Sequence, residues 1–245
     1  MTPATGAYRL DMLSEHATYF GTDGSKYDGV TRVVKVLDKP ALLFWAWNLG
    51  QQGKTLDDAR SGSTDRGKVA HGRIEAFCRD LPFDDTDIAG NLMDESDASL
   101  ARFKDWWGEQ GWELVDAERQ VSSDRLRIGG TLDLLLHSRK RKATALVDIK
   151  TASGFYVEQR LQVCGYEDLI AEPHRWNESR GRSMSDWTDH GPVPVEEVWI
   201  ARVGKDEPGD MDAFEMSASE RILHRKVFRG MAANHYELKK VLARR

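Results

Sequence analysis

Three charged residues, Asp133, Asp148 and Lys150, lie in two apolar runs joined by a basic turn, in the segment IGGTLDLLLHSRKRKATALVDIK. If Arg139 to Lys142 form the turn of an antiparallel hairpin, Asp133 faces Asp148 directly across the two strands. Lys150 then lies on the same face, since side chains alternate along a strand. Two carboxylates so close repel each other, and each raises the pKa of the other. A cation between them would relieve this repulsion, so the hairpin predicts a divalent-metal site with a lysine beside it.

The alternative is a surface hairpin whose charges are simply solvated. Both runs are rich in Leu, Val and Ile on both faces, which predicts a central position in a sheet, where charges need partners. Oxygen ligands suit Mg²⁺ or Mn²⁺, which are held through one or two carboxylates together with a substrate phosphate. In such a site Lys150 would neutralise a developing oxyanion or hold the attacking water.

Other candidate residues lie on the helices and the strand around this hairpin. In GKVAHGRIE, His71 and Glu75 are spaced i, i+4 and share a helical face, where His71 could complete a metal site or be structural. In QVCGY, Gln162 and Tyr166 have the same spacing and either face the metal site or form a polar helix edge. Glu118, on the strand before the hairpin, is an exposed charge or a further carboxylate of the site.

The composition is that of a soluble globular chain of 245 residues, with 40% hydrophobic and 31% charged residues. No apolar run is long enough to span a membrane, and the N-terminus shows no secretory signal pattern, so we expect a cytoplasmic protein. Cys78 and Cys164 fit a reducing compartment and argue against a zinc finger or an iron–sulfur cluster. The net charge of −5 leaves the partner open, because binding to nucleic acid depends on local basic clusters.

Periodicity and turn residues predict an α/β fold with a mixed sheet between helices and extra helices in front. We expect one domain, 1–245, with a helical part at about 27–110 and a core at about 111–245. The expected elements are a β-rich run after residue 27, a helix from Pro40, a loop at 51–64, helices at 64–79 and 97–110 around an acidic turn-rich segment, strands at 112–122, 125–137 and 143–151, a helix at 155–171, a strand at 195–203, a short strand near Phe214 and a helix at 217–243.

The long polar segment 172–193 lacks clear periodicity and is either functional or disordered. It carries Arg175, Arg180 and Arg182 interleaved with Trp176 and Trp187. This mixture could contact a nucleic-acid strand by charge and stacking. A disordered insertion is the other interpretation.

Taken together, these motifs resemble the PD-(D/E)XK nuclease superfamily, in particular its RecB-like phage exonuclease branch. GKVAHGRIE is similar to the helical histidine motif, GGTLD to the first catalytic aspartate, VDIK to the D-x-K motif, and QVCGY to the QxxxY motif of that branch. The resemblance spans roughly residues 27–170. The segment VTRVVKVLDKPALLFWAW also resembles the N-terminal region of phage and mitochondrial members. Some relatives carry four cysteines for an iron–sulfur cluster, and this chain resembles the cluster-free type.

The resemblance implies a restriction-endonuclease-like core and a role for each matching residue. The implied metal ligands are His71, Asp133, Asp148 and the carbonyl of Ile149. Lys150 would be the catalytic lysine, Gln162 and Tyr166 would position substrate or site groups, and Glu118 and Glu75 are weaker candidates.

The expected function is a Mg²⁺- or Mn²⁺-dependent DNA exonuclease acting on DNA ends in phage or bacterial replication, recombination or repair. Such an enzyme could have a recombination or replication protein as a partner. A structure-specific or restriction-type endonuclease on the same core is a close alternative. A non-catalytic DNA-binding module is the alternative from another class, and the presence of Asp133, Asp148 and Lys150 argues against it.

Overall fold

A mixed sheet with helices packed on both faces forms the body of the protein. The computed structural model describes residues 7–9, 17–37, 40–53, 55–177, 179–203 and 211–242. Within these residues a sheet of nine strands is sandwiched between two groups of helices. The predicted α/β class and the mixed sheet flanked by helices are therefore confirmed, and the architecture is compatible with a restriction-endonuclease-like core.

Three helices differ from the prediction. A β-rich run is predicted after residue 27, yet Val30–Val34 is a short helix whose three valines are buried, so tertiary packing overrides their strand propensity. The helix Leu56–Cys78 begins inside the segment 51–64, which is predicted as a loop because of its polar composition. The helix Gly90–Gln110 likewise begins before its predicted start at 97. The helices are α1 (Val30–Val34), α2 (Pro40–Gln51), α3 (Leu56–Cys78), α4 (Gly90–Gln110), α5 (Val157–Ile170) and α6 (Ala218–Leu242).

The sheet is built around a central antiparallel hairpin. Its main strand order is β7-β6-β3-β4-β5-β8-β9, while β2 pairs with β4 and β1 pairs with β2. The β5–β8 and β2–β4 pairs are parallel, and the other pairs are antiparallel. The strands are β1 (Tyr19–Phe20), β2 (Lys26–Gly29), β3 (Trp112–Ser123), β4 (Ile128–Ser138), β5 (Ala143–Lys150), β6 (His174–Asn177), β7 (Trp187–His190), β8 (Glu197–Val203) and β9 (Met211–Glu215).

The segment 172–193 contains an ordered hairpin that extends the sheet. Its strands β6 and β7 pair with each other, and β6 also pairs with β3. Arg175 is buried and donates hydrogen bonds to the carbonyls of Gly21 and Trp187 at 2.8 and 2.9 Å. Trp187 is buried as well. Arg175 and Trp187 therefore stabilise the hairpin, and the interpretation of this segment as a disordered insertion is wrong for its described residues.

Each face of the sheet has its own hydrophobic core. One core lies between the sheet and helices α1, α5 and α6, and it includes Leu135 and Leu146. The other core lies between the opposite face and helices α3 and α4. Because side chains alternate along a strand, Asp148 shares the face of Leu146, which α5 covers. On β4 this alternation breaks beside Asp133, because Leu132 lies in the first core and Leu134 in the second.

None of the helices in the described part of the chain is both long and apolar enough to cross a membrane.

Candidate metal and catalytic site

The β4–β5 hairpin has the predicted turn and register. β4 ends at Ser138 and β5 begins at Ala143, so Arg139–Lys142 form the turn. The last described pair of this ladder is Leu134 with Val147, and Asp133 and Asp148 follow it on the two strands. The backbone N–H of Ile149 donates a hydrogen bond of 2.7 Å to Asp133 Oδ2. The Asp133 carboxylate is therefore fixed directly against β5.

Lys150 neutralises Asp148. Its Nζ lies 2.6 Å from Asp148 Oδ2 and donates a hydrogen bond of 3.2 Å to the Ile149 carbonyl. Asp148 is almost completely buried, and its Oδ1 has no hydrogen-bond partner among the described residues. Burial raises the pKa of Asp148, an effect that Lys150 opposes. A buried, unpartnered carboxylate oxygen is the kind of atom to which a cation binds favourably.

A second group of possible ligands forms around Asp133. The side chains of His71, Glu118 and Asp133 each bring one ligand atom within 4.8 Å of the other two. His71 Nδ1 lies 3.9 Å from both Glu118 Oε1 and Asp133 Oδ2. Burial lowers the pKa of His71, but the charges of Asp133 and Glu118 outweigh this and raise it. Within the described residues, Asp148 is outside this group of three. Asp133 therefore lies between the group with His71 and Glu118 and the pair formed by Asp148 and Lys150.

Glu118 is held in the site by an unusual backbone conformation. It lies between Ala117, which pairs with Leu134, and Arg119, which pairs with Leu132, and it is therefore opposite Asp133. Its φ of 48° is in the left-handed region, which is uncommon for a residue with a side chain. The β3–β4 register could have identified Glu118 from the sequence, because the midpoint between Glu118 and Asp133 falls in the turn that joins these strands.

Glu75 belongs to a different part of the structure. It is one helical turn from His71, but its buried carboxylate accepts hydrogen bonds from Tyr8, Arg79 and Arg180. It is not a member of the group formed by His71 among the described residues. Its carboxylate is already engaged by these donors, so we assign it no role as a metal ligand.

Gln162 and Tyr166 lie on α5, above the hairpin. Gln162 Nε2 donates a hydrogen bond of 2.8 Å to the Tyr166 hydroxyl. A Cβ on Gly130 of β4 would lie 2.5 Å from Tyr166 Cε1, so the tyrosine ring lies directly on that strand. Burial raises the pKa of Tyr166 strongly, and the negative charges of Asp148 and Asp133 add to this. Burial and the two aspartates therefore disfavour ionisation of the Tyr166 hydroxyl.

These side chains could coordinate a divalent cation through carboxylate oxygens and one imidazole nitrogen. Asp133, Glu118 and Asp148 offer carboxylate oxygens, the ligands preferred by Mg²⁺ and Mn²⁺, while His71 offers an imidazole nitrogen, which suits transition metals. The carbonyl of Ile149 accepts a hydrogen bond from Lys150. The arrangement thus combines a group of carboxylate and imidazole ligands with a half-buried lysine next to it.

Known proteins provide no functional assignment for these residues. No family model and no curated protein matches the chain. Among the solved structures that match it is the crystal structure of SSO0001, with 11% sequence identity and a TM-score of 0.35. That match covers 94% of this chain and 82% of SSO0001. Similarity at this level carries no argument about function.

Proposed function

We propose that this protein is a divalent-metal-dependent deoxyribonuclease that hydrolyses phosphodiester bonds. The observation that carries the proposal is the position of Asp133. Its carboxylate lies 3.9 Å from His71 Nδ1 and also accepts the amide of Ile149, between Asp148 and Lys150 on β5. Asp133 therefore joins the ligand group to the strand that carries Asp148 and its partner Lys150, a combination suited to phosphodiester hydrolysis.

The metal would be held by Asp133, Asp148 and His71, with Glu118 as a further ligand. Mg²⁺ or Mn²⁺ bound there would supply Lewis-acid activation of water and of the phosphate oxygens. The unpartnered Oδ1 of Asp148 supports this assignment.

Lys150 and the α5 pair would act on the substrate. The ammonium group of Lys150, held by Asp148, would orient the attacking water or neutralise charge that develops on the phosphate. Tyr166, with Gln162 bonded to its hydroxyl, would position the scissile strand. Hydrolysis then proceeds by in-line attack of water on phosphorus, and the 3′-oxygen leaves.

We further propose DNA ends as the substrate and exonuclease action as the activity. Both rest on the resemblance of the four motifs to RecB-like phage exonucleases. A role in phage or bacterial replication, recombination or repair, inside the cytoplasm, belongs to the same proposal.

The test is digestion of DNA labelled at either end, single- and double-stranded, in Mg²⁺ or Mn²⁺. We expect metal-dependent release of label that is lost in Asp148→Ala and Lys150→Ala. Wild-type activity in both variants would refute the assigned site.

Circular DNA separates the alternatives. Resistance of circular DNA together with loss of linear DNA supports the exonuclease, whereas cleavage of both supports an endonuclease on the same core. If no DNA or RNA is cleaved under any metal condition, a non-catalytic DNA-binding module becomes the better interpretation.

A further inference from the structure

Two arginines donate hydrogen bonds to the edge of β3 near Glu118, beyond the point where its pairing with β6 ends. β6 pairs with β3 at Ser122, Val121 and Gln120, and the described pairing stops there. Further along β3, the carbonyl of Ala117 accepts hydrogen bonds from Arg79 Nη2 at 2.7 Å and from Arg180 Nη2 at 3.2 Å. Two guanidinium groups therefore bond to β3 at the residue that precedes Glu118.

Both arginines are themselves fixed by one buried carboxylate. Glu75, 2% exposed, accepts hydrogen bonds from Arg79 Nε at 2.7 Å and from Arg180. Tyr8 donates to the second oxygen of the same carboxylate. Charge-assisted bonds of this kind are strong and directional, so they fix the arginines relative to α3. Since α3 also carries His71, these bonds connect the helix of His71 to the strand of Glu118.

Arg180 lies in the turn after β6, which its own backbone conformation and the hydrogen bonds of Asn177 hold in place. Its φ of 56° lies in the left-handed region. Asn177 Nδ2 donates to the Gly181 carbonyl at 2.7 Å and to Gln120 Oε1 at 2.9 Å, which ties the turn to β3. Burial lowers the pKa of Arg180, but Glu75 and, more weakly, Glu118 outweigh this and raise it. Arg180 thus donates to Glu75, and Glu118 contributes to its electrostatic surroundings.

We propose that Arg180 is a positioning residue for Glu118, and that it keeps Glu118 directed at His71 and Asp133 by bonding the Ala117 carbonyl. The inference rests on the proposed function, because it assigns a cause for the geometry of the same metal site. A left-handed backbone at Glu118 costs free energy and persists only where the surroundings impose it. Arg180 and Arg79 supply that constraint from outside the ligand group.

The sign of the effect distinguishes positioning from simple electrostatics. Arg180 carries a positive charge near a cation site, so its removal would strengthen cation binding if charge were all that mattered. If Arg180 positions Glu118, its removal weakens binding instead. Loss of an outer partner of a metal ligand commonly lowers metal affinity by about 10–100-fold.

The experiment measures Mn²⁺ affinity by calorimetry in the wild type, Arg180→Ala and Arg182→Ala. Arg182 is exposed in the same segment and is the matched control for charge. We expect weaker binding only in Arg180→Ala, with unchanged binding in the control. Equal or tighter binding in Arg180→Ala would overturn the proposal. If that variant does not fold, Arg180→Lys replaces it, and an intermediate loss is expected because lysine lacks the planar fork of arginine.

A double-mutant cycle shows whether the effect passes through Glu118. In a Glu118→Gln background, Arg180→Ala should cause little further loss of Mn²⁺ affinity, because the group it positions is no longer a strong ligand. An undiminished loss in that background overturns the positioning role and leaves the metal site intact. Absence of Mn²⁺ binding in the wild type would instead refute the proposed function itself.

Discussion

The amide of Ile149 is bonded to the carboxylate of Asp133 across the hairpin, at 2.7 Å. This bond lies just beyond the last described pair of the ladder, Leu134 with Val147. The side chain of one strand thus fixes the backbone of the other, between Asp148 and Lys150. The members of the site on β4 and β5 therefore keep their relative positions as long as the hairpin is folded.

Lys150 is the first residue whose removal we expect to stop cleavage. Its ammonium group is paired with the buried carboxylate of Asp148, and Lys150→Met removes the charge while it keeps most of the apolar stem. We expect the cleavage rate at saturating Mn²⁺ to fall by about 10²–10³-fold, the usual cost of removing one group that stabilises developing charge. The control is Lys142→Met, which changes an exposed lysine of the hairpin turn. An unchanged rate in Lys150→Met would exclude a catalytic role for the lysine.

His71 should determine which metal the site prefers. Its imidazole is the nitrogen donor of the group with Glu118 and Asp133. Because nitrogen ligands suit Mn²⁺ better than Mg²⁺, we expect His71→Ala to weaken Mn²⁺ binding by about 10-fold or more and Mg²⁺ binding by less. Calorimetric titration with each ion provides the measurement, with His137→Ala on β4 as the control. Equal losses for the two ions would mean that His71 acts only by shaping the site.

Gly130 should be required for the position of Tyr166. A Cβ at this glycine would lie 2.5 Å from the tyrosine ring, too close for either group to stay in place. Gly130→Ala should therefore lower the free energy of unfolding by about 1–3 kcal/mol through overpacking, and should also reduce cleavage.

Tyr166→Phe separates packing from the hydroxyl group. It keeps the ring and loses only the hydrogen bond from Gln162. Its cleavage rate should fall, whereas its urea denaturation midpoint should stay closer to the wild type than that of Gly130→Ala. A wild-type midpoint in Gly130→Ala would contradict the close packing.

Asp168 should be a main determinant of stability on the α5–α6 side. Its fully buried carboxylate accepts hydrogen bonds from Arg225 Nε at 2.7 Å and from Arg229 Nη2 at 2.6 Å. Asp168→Ala removes a buried acceptor of charge-assisted hydrogen bonds. Because its partners Arg225 and Arg229 are 25% and 44% exposed, we expect a loss of about 1.5–3 kcal/mol in unfolding free energy. Asp189→Ala removes an ion pair whose carboxylate is 78% exposed, and should cost about 0–1 kcal/mol. Similar denaturation curves for the two variants would refute the difference in burial.

The hairpin could be predicted from the sequence because its determinants are local. The basic turn fixes the midpoint between Asp133 and Asp148, and alternation then fixes the face of Lys150. The pair Gln162 and Tyr166 follows in the same way from helical spacing. Their mutual hydrogen bond is a contact between neighbours on one helix turn.

The backbone conformation of Glu118 and the hydrogen-bond partners of Glu75 could not be predicted in this way. The backbone of Glu118 is itself in the left-handed region, inside a strand, and nothing in its local sequence requires that conformation. Glu75 shares a helix face with His71, but the decisive partners are Tyr8 and Arg180, 67 and 105 residues away. Contacts over such distances depend on the whole fold, which pattern and propensity do not encode.

The network around Glu75 also has a consequence for the order of folding. It joins an N-terminal residue, the α3 helix and the turn after β6, and the closure of such long loops is entropically costly and slow. The β4–β5 hairpin needs only its own turn and can form early. We therefore expect Mn²⁺ affinity to develop later in refolding than the secondary structure seen by circular dichroism, which makes the metal site a reporter of the final assembly of the chain.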